Sequence, residues 1–185
     1  MKYNIDWLIN LIKNGYSLNY IFFNSHKPNK KGEIDKNCLS QFWKCEFIEN
    51  EIEYNSTEQY MMSKKAELFG DQEIWQEILN TDSPYVIKKL GRKVRNFNEN
   101  TWEKSRYKIV INGNHLKFSQ NRELKDFLIA TNDSILVEAS QYDTIWGIGM
   151  KESHKDIENP YNWNGLNLLG FALMEVRDKI IESNK

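Results

Sequence analysis

Apolar residues along this chain recur mostly at helical spacing, interrupted by short runs that read as strands. Over residues 3–13, Ile5, Leu8, Ile9 and Ile12 share one face and predict a short amphipathic helix, with Asp6 able to cap a shorter version of it. Residues 20–23 read as a buried strand, followed by a polar loop over 24–37. Residues 39–47 alternate imperfectly and carry Phe42, Trp43 and Phe47; residues 51–54 then lead into the best-bounded helix of the chain. Residues 71–79 predict a further helix, and Ser83-Pro84 starts another that runs through Leu90. A helix of mixed charge covers 102–110, and a separate one is expected within 116–131, starting near Ser119 and leaving Lys117 just ahead of it. Residues 135–138 form an apolar strand ending in Glu138. It opens into SQYDTIWGIGM, where two close glycines predict a loop. A final helix over 163–181 buries a stripe of Leu169, Leu173, Val176 and Ile180, with Gly165 and Gly170 allowing close packing.

The best-bounded stretch, residues 54–71, reads YNSTEQYMMSKKAELFGD. Ser56 is an N-cap and Gln59 completes a capping box, while Gly70 stands where a left-handed residue would end the helix. Between these caps Glu58, Met61, Met62 and Lys65 fall on roughly one face. An apolar face that carries an acid at its start and a lysine two turns on has two readings. Either Glu58 complements the helix dipole and Lys65 reaches solvent, or the pair does chemistry. Met61, Met62 and Phe69 read as core.

Composition narrows the function classes. A length of 185 residues suits one domain with a substantial core, and a net charge of −1 gives no global field for nucleic acid or membrane. Six tryptophans and nine tyrosines against three prolines argue for an ordered, aromatic-lined protein. Cys38 and Cys45 are too few for a disulfide framework, which with no signal-peptide pattern or spanning apolar run points to a cytoplasmic location. The one concentrated basic segment is KKLGRKVRNF, where Lys88, Arg92 and Arg95 fall at helical spacing. That face either meets a phosphate or is simply solvated. No internal repeat and no linker divides the chain.

His26, His115 and His154 lack ligand spacing and no metal set is expected; no P-loop, nucleophile elbow or strand-flanked dinucleotide fingerprint is present. What remains is Glu58, Glu138 and Asp143, nearby basic residues and many indoles. Paired carboxylates with aromatic rings suit glycosidic bond cleavage, and equally a nucleotide-binding pocket.

Seven segments stand in an order that resembles the NADAR, or YbiA-like, family: LSQFW (39–43), the STEQYMMSKKAELFGD helix, LGRKVRNF (90–97), Trp102, KFSQN (117–121), EASQYDTIWGIG (138–149) and WNGLNLLGFALMEVR (163–177). The resemblance runs from Tyr20 to Arg177. It implies a mainly α, single compact multi-helical domain with a few short strands over 20–181, preceded by an N-terminal helical extension at 1–19. It also implies N-glycosidase activity on ribosyl compounds; with no metal set in the sequence, no cofactor is expected. The associated substrates are ribosylaminopyrimidine phosphates of early riboflavin synthesis and ADP-ribose on guanine, in nucleotides or nucleic acid. The family's functional positions fall on Glu58, Trp102 and Asp143, with Lys65 and Arg92 in matching segments.

On that basis Glu58 and Asp143 are expected to flank the anomeric carbon. Lys65 protonates the leaving group, binds phosphate, or attacks the sugar as a neutral amine. Arg92 is expected on phosphate, Trp102 and Trp146 on the base, and Lys117 among the substrate contacts. Glu138 either contacts substrate or only holds its loop. The competing reading is a module that binds ADP-ribose or a nucleotide without cleaving it, in a defence or toxin–antitoxin setting.

Overall fold

The computed structural model describes residues 1–183. Its helices are α1 (Ile5–Lys13), α2 (Thr57–Leu68), α3 (Gln72–Leu79), α4 (Pro84–Gly91), α5 (Glu99–Gln120), α6 (Arg122–Ala130) and α7 (Leu168–Ser183). The strands are β1 (Tyr20–Phe23), β2 (Phe47–Glu49), β3 (Ile52–Tyr54) and β4 (Ile135–Glu138). The fold is mainly α with a few short strands. Its contacts gather into two units: Met1–Ser40 with the chain from Glu123 onward, and Gln41–Arg122.

In the first unit β1 and β4 pair in parallel, Tyr20 opposite Ile135 and Phe23 opposite Glu138. Ile135, Leu136 and Val137 are all buried, as expected for a parallel pair covered by helices. Helix α7 packs on β4, and the expected stripe of Leu169, Leu173, Val176 and Ile180 is buried. Asn167 binds the strand's backbone, its Nδ2 donating to Leu136 O at 2.9 Å and its Oδ1 accepting from Glu138 N at 3.0 Å. Helix α7 begins at Leu168, later than the pattern predicts, because the backbone N–H groups of Asn164, Leu166, Asn167, Leu168 and Leu169 bond the carbonyls of 144–148. Gly170 lies so close to β4 that an added Cβ would stand 2.0 Å from the carbonyl oxygen of Leu136. The Gly170→Ala variant should therefore lose about 2–3 kcal/mol, read as a lowered urea midpoint with the slope unchanged. Helix α1 is capped by Asn4, whose Oδ1 accepts from Trp7 N at 2.7 Å, and not by Asp6. Asn4 serves because its extended backbone leaves the carboxamide facing the first open N–H groups.

The second unit is built around α2. Strands β2 and β3 form a hairpin whose turn residues, Asn50 and Glu51, both have positive φ, as a tight turn of this hand requires. On its inner side Phe47 and Tyr54 stack, and Tyr60 of α2 meets Tyr54 edge-on. Helix α5 runs unbroken for 22 residues, so Lys117 lies inside it near the C-terminal end and not ahead of a new helix. Gly113, which costs an isolated helix up to about 1 kcal/mol, sits where the Tyr60 ring crosses. A Cβ there would be 2.6 Å from that ring, so packing, not propensity, sets the residue.

Arg95 also departs from the helical spacing. Helix α4 ends at Gly91, and Arg95 turns back to Asp71, donating from its backbone N at 2.8 Å, Nε at 3.1 Å and Nη2 at 2.5 Å. Asp71 also caps α3 through Ile74 N. Its hydrogen bonds from Arg95 hold the carboxyl well below the usual carboxylate range. The unfolded chain then binds the proton first as pH falls, so this stabilisation is complete at neutral pH and lost in acid. Asp71→Asn should lower the melting temperature at pH 7, and the gap from the parent should narrow below about pH 4.

Candidate active site

The second unit carries five of the anticipated residues. Ser56 Oγ accepts from Gln59 N at 3.2 Å, and Gln59 Oε1 reaches back to Asn55 N at 2.8 Å, so the expected cap starts α2. Glu58 follows in the first turn and is only 2% exposed. Its N–H donates to Gln41 O at 3.0 Å, and Thr57 Oγ1 donates to the same carbonyl at 3.2 Å. A carboxylate at this end of the helix meets the positive pole of the backbone dipoles.

Two turns along α2, the half-buried Lys65 donates from Nζ to the Gly91 carbonyl at 2.8 Å. The same nitrogen lies 4.2 Å from the centre of the Phe97 ring and 5.5 Å from that of Trp102. Burial is the main force lowering its pKa; Glu99 opposes this, and the positive charge of Arg92 lowers it further. Trp102 is buried in the first turn of α5, and Arg92 caps the end of α4. Lys65, Arg92 and Trp102 therefore belong to one cluster.

Lys117 does not join them. It lies 15 residues beyond Trp102, roughly 22 Å along α5 at the usual helical rise. Tyr60 packs at Gly113 while Lys65 reaches Trp102, so α2 and α5 run antiparallel, which sets the Glu58 end of α2 beside the last turns of α5. There Lys117 is fully buried, its Nζ 5.0 Å from the Phe118 ring and its charge felt by the Cys45 thiol.

The first unit carries the other three. Asp143 Oδ1 accepts from Ile145 N at 3.0 Å and Trp146 N at 2.8 Å, which folds the loop back on itself. The carbonyl of Glu138 accepts from Ser140 N at 2.9 Å and Ile148 N at 3.0 Å, so its main chain closes the loop base. Gly147 and Gly165 make the close approach: a Cβ on Gly165 would lie 2.3 Å from Gly147 O. Asp143 and Trp146 are both half-buried on this strapped loop, and neighbouring Tyr142 is 90% exposed.

Two partners of Lys65 escaped the sequence reading. Phe97 stands at the end of the LGRKVRNF segment with nothing local to mark it, and Gly91 contributes a carbonyl, which no side-chain pattern reports. Gln41, whose carbonyl receives Thr57 and Glu58, was equally invisible. Among the described residues no group of three or more acidic, histidine or cysteine side chains is placed to hold a metal. No helix there is long and apolar enough to cross a membrane.

A family model of the NADAR domain matches residues 22–181. The chain belongs to the NADAR family. It is 42% identical over 166 residues to N-glycosidase R617 of Acanthamoeba polyphaga mimivirus, covering 86% of this chain and 95% of the relative. It is 30% identical over 125 residues to N-glycosidase YbiA of Escherichia coli strain K12, covering 68% and 69%. The NMR structure of E. coli YbiA superposes with a TM-score of 0.67 over 91% of this chain and 90% of that one, at 22% identity, and shows the same fold. A shorter match, 32% identical over 114 residues, links 60% of this chain to 16% of the chloroplastic riboflavin biosynthesis protein PYRR of Zea mays. This NADAR protein is an N-glycosidase.

Proposed function

We propose that this NADAR protein hydrolyses the bond between C1′ of a ribose and a ring or exocyclic nitrogen of a heterocycle, in a substrate that carries a phosphate or diphosphate. The observation that carries this reading is the Lys65 amine, drawn toward its neutral form by burial and Arg92, and held by the Gly91 carbonyl between two aromatic rings. A neutral amine is a nucleophile, and a partly desolvated lysine near a second cation is a known way to make one. In this scheme Lys65 attacks C1′ and the C1′–N bond breaks, its electron pair leaving with the base, which takes up a proton. The ribose ring opens to an imine on Lys65. Water then adds to that carbon, freeing the sugar and restoring the amine.

Glu58 stabilises the positive charge that develops on the ribose and orients the water. Asp143 binds ribose hydroxyls or the leaving base. Arg92 meets phosphate, while Trp102 and Trp146 offer faces to the heterocycle. Lys117, buried beside the Glu58 end of α2, acts from beneath the site on the carboxylate side, and Glu138 anchors the Asp143 loop. No step in this scheme needs a cofactor.

Two substrate classes satisfy this chemistry, ADP-ribosylated guanine and ribosylaminopyrimidine phosphates. Purified protein incubated with each in turn, with products followed by mass spectrometry, separates them. Free ADP-ribose with restored guanine assigns the first, including its nucleic-acid form, and ribose phosphate with free pyrimidine assigns the second. Ligand retained intact in both incubations would overturn the hydrolytic reading in favour of a binding module.

A further inference from the structure

Gln41 is a buried side chain that the hydrolytic scheme leaves unused. It is 6% exposed, and its main chain is fixed to the start of α2, where Gln41 O accepts from Glu58 N at 3.0 Å and from Thr57 Oγ1 at 3.2 Å. The carboxamide has no such anchor. Its Oε1 is buried and makes no hydrogen bond among the described residues, and its Nε2 meets only the Met61 sulfur, at 3.8 Å. Buried polar atoms in folded proteins are nearly always hydrogen-bonded, so each exception calls for an explanation. The Oδ1 of buried Asn114 also makes no hydrogen bond, but its Nδ2 makes an ordinary bond to Val110 O at 2.9 Å, one turn back in α5. Gln41 has neither end of its amide well bonded.

Its position supplies the explanation. Met61 stands between Glu58 and Lys65 on the face of α2 that they share, about 5 Å along the axis from one and about 6 Å from the other. The carboxamide that rests on Met61 therefore lies between the carboxylate and the amine. A thioether is a weak acceptor, so a better partner would draw the carboxamide from it. Chemistry narrows that partner. The unbonded atom is an acceptor, and ionised phosphate oxygens, carboxylates and the ribose ring oxygen carry no hydrogen to give it. A sugar hydroxyl does. Next to the anomeric carbon the hydroxyl within reach is the one on C2′.

With C1′ placed between Lys65 and Glu58 as in the hydrolytic reading, on which this step rests, we propose that Gln41 is a further substrate-binding residue. Its Oε1 accepts from the 2′-hydroxyl and so selects ribosyl over 2′-deoxyribosyl compounds. Hydrogen bonds to this hydroxyl strengthen as a glycosyl centre becomes cationic, so the contact also favours the chemical step.

Ribose 5-phosphate and 2-deoxyribose 5-phosphate are the probes, titrated into the full chain by calorimetry. The parent should bind the ribose form about tenfold more tightly, since a site that hydrogen-bonds a hydroxyl rejects the analogue lacking it. Gln41→Met matches the side chain in length and keeps the main-chain bonds to α2, and it should bind both forms equally. Its melting temperature should hold or rise, because it removes a buried oxygen that has no partner. A glutamine that served only the fold would give the reverse, a less stable variant with the sugar preference intact. Equal affinities in the parent, binding of neither sugar at millimolar concentration, a preference that survives in Gln41→Met, or a clear fall in its melting temperature would each overturn the proposal. Binding does not require turnover. If neither substrate class is cleaved while the ribose preference and its loss in Gln41→Met are both seen, the hydrolytic reading fails and the sugar contact stands.

Discussion

Glu58→Gln should abolish turnover, lowering kcat by about 10²–10⁴-fold, while the protein keeps its fold. The substitution conserves shape and removes only the charge. It leaves the Ser56 cap, the Gln59 return bond and the backbone contact of residue 58 with Gln41 untouched. The melting temperature should therefore stay close to that of the parent, because no cavity opens and no cap is lost. Substrate affinity should change little, since the charge matters most when the ribose becomes cationic, and the loss should appear in kcat more than in KM. Parental turnover in a folded Glu58→Gln variant would remove Glu58 from the reaction.

Lys65→Met should lower activity about a hundredfold or more, and Lys65→Arg should be as inactive. Arginine keeps the positive charge, so a lysine that merely bound phosphate would be replaced tolerably by it, whereas a nucleophilic amine would not. The pH profile gives an independent check. Burial and Arg92 lower the pKa of Lys65, so the neutral amine gains population below the ordinary lysine value of about 10.4. Activity that needs this form should rise with pH and level off before that value. An activity that falls over the same window would mean that the ammonium, as acid or phosphate ligand, is the working form. Borohydride added during turnover should trap sugar on Lys65 in the parent and not in Lys65→Met. Retained activity in Lys65→Arg would defeat the nucleophilic scheme and leave Glu58 as the central group.

Both predictions rest on a helix that is legible in the sequence alone. Ser56, Gln59 and Gly70 bracket α2 through hydrogen bonds made within a few residues of one another, so local chemistry sufficed to place Glu58 in the first turn and Lys65 two turns on. The α7 stripe was equally plain, because burial on one side imprints helical spacing on the sequence. Seven ordered motifs pointed to the family that the NADAR match bears out.

Readings that depended on distant partners went differently. The sequence reads one helix over 102–110 and another within 116–131, whereas α5 runs unbroken from Glu99 to Gln120, with Gly113 letting the Tyr60 ring pack close against it. Arg95 looked like a third member of a basic helical face until Asp71 drew it away at the end of α4. The start of α7 moved to Leu168 because loop carbonyls over 144–148 claim the N–H groups that would have extended it.

The sequence by itself therefore determined which residues cap, line and charge each element, since those properties are set within a turn or two of the chain. Tertiary structure alone decided what surrounds them. It put the Gly91 carbonyl and the Phe97 ring on Lys65, and so set the desolvation that makes the amine a candidate nucleophile. It also buried Lys117 beside the Glu58 end of α2. Burial and electrostatic environment are sums over neighbours far apart in sequence, and no local pattern encodes them.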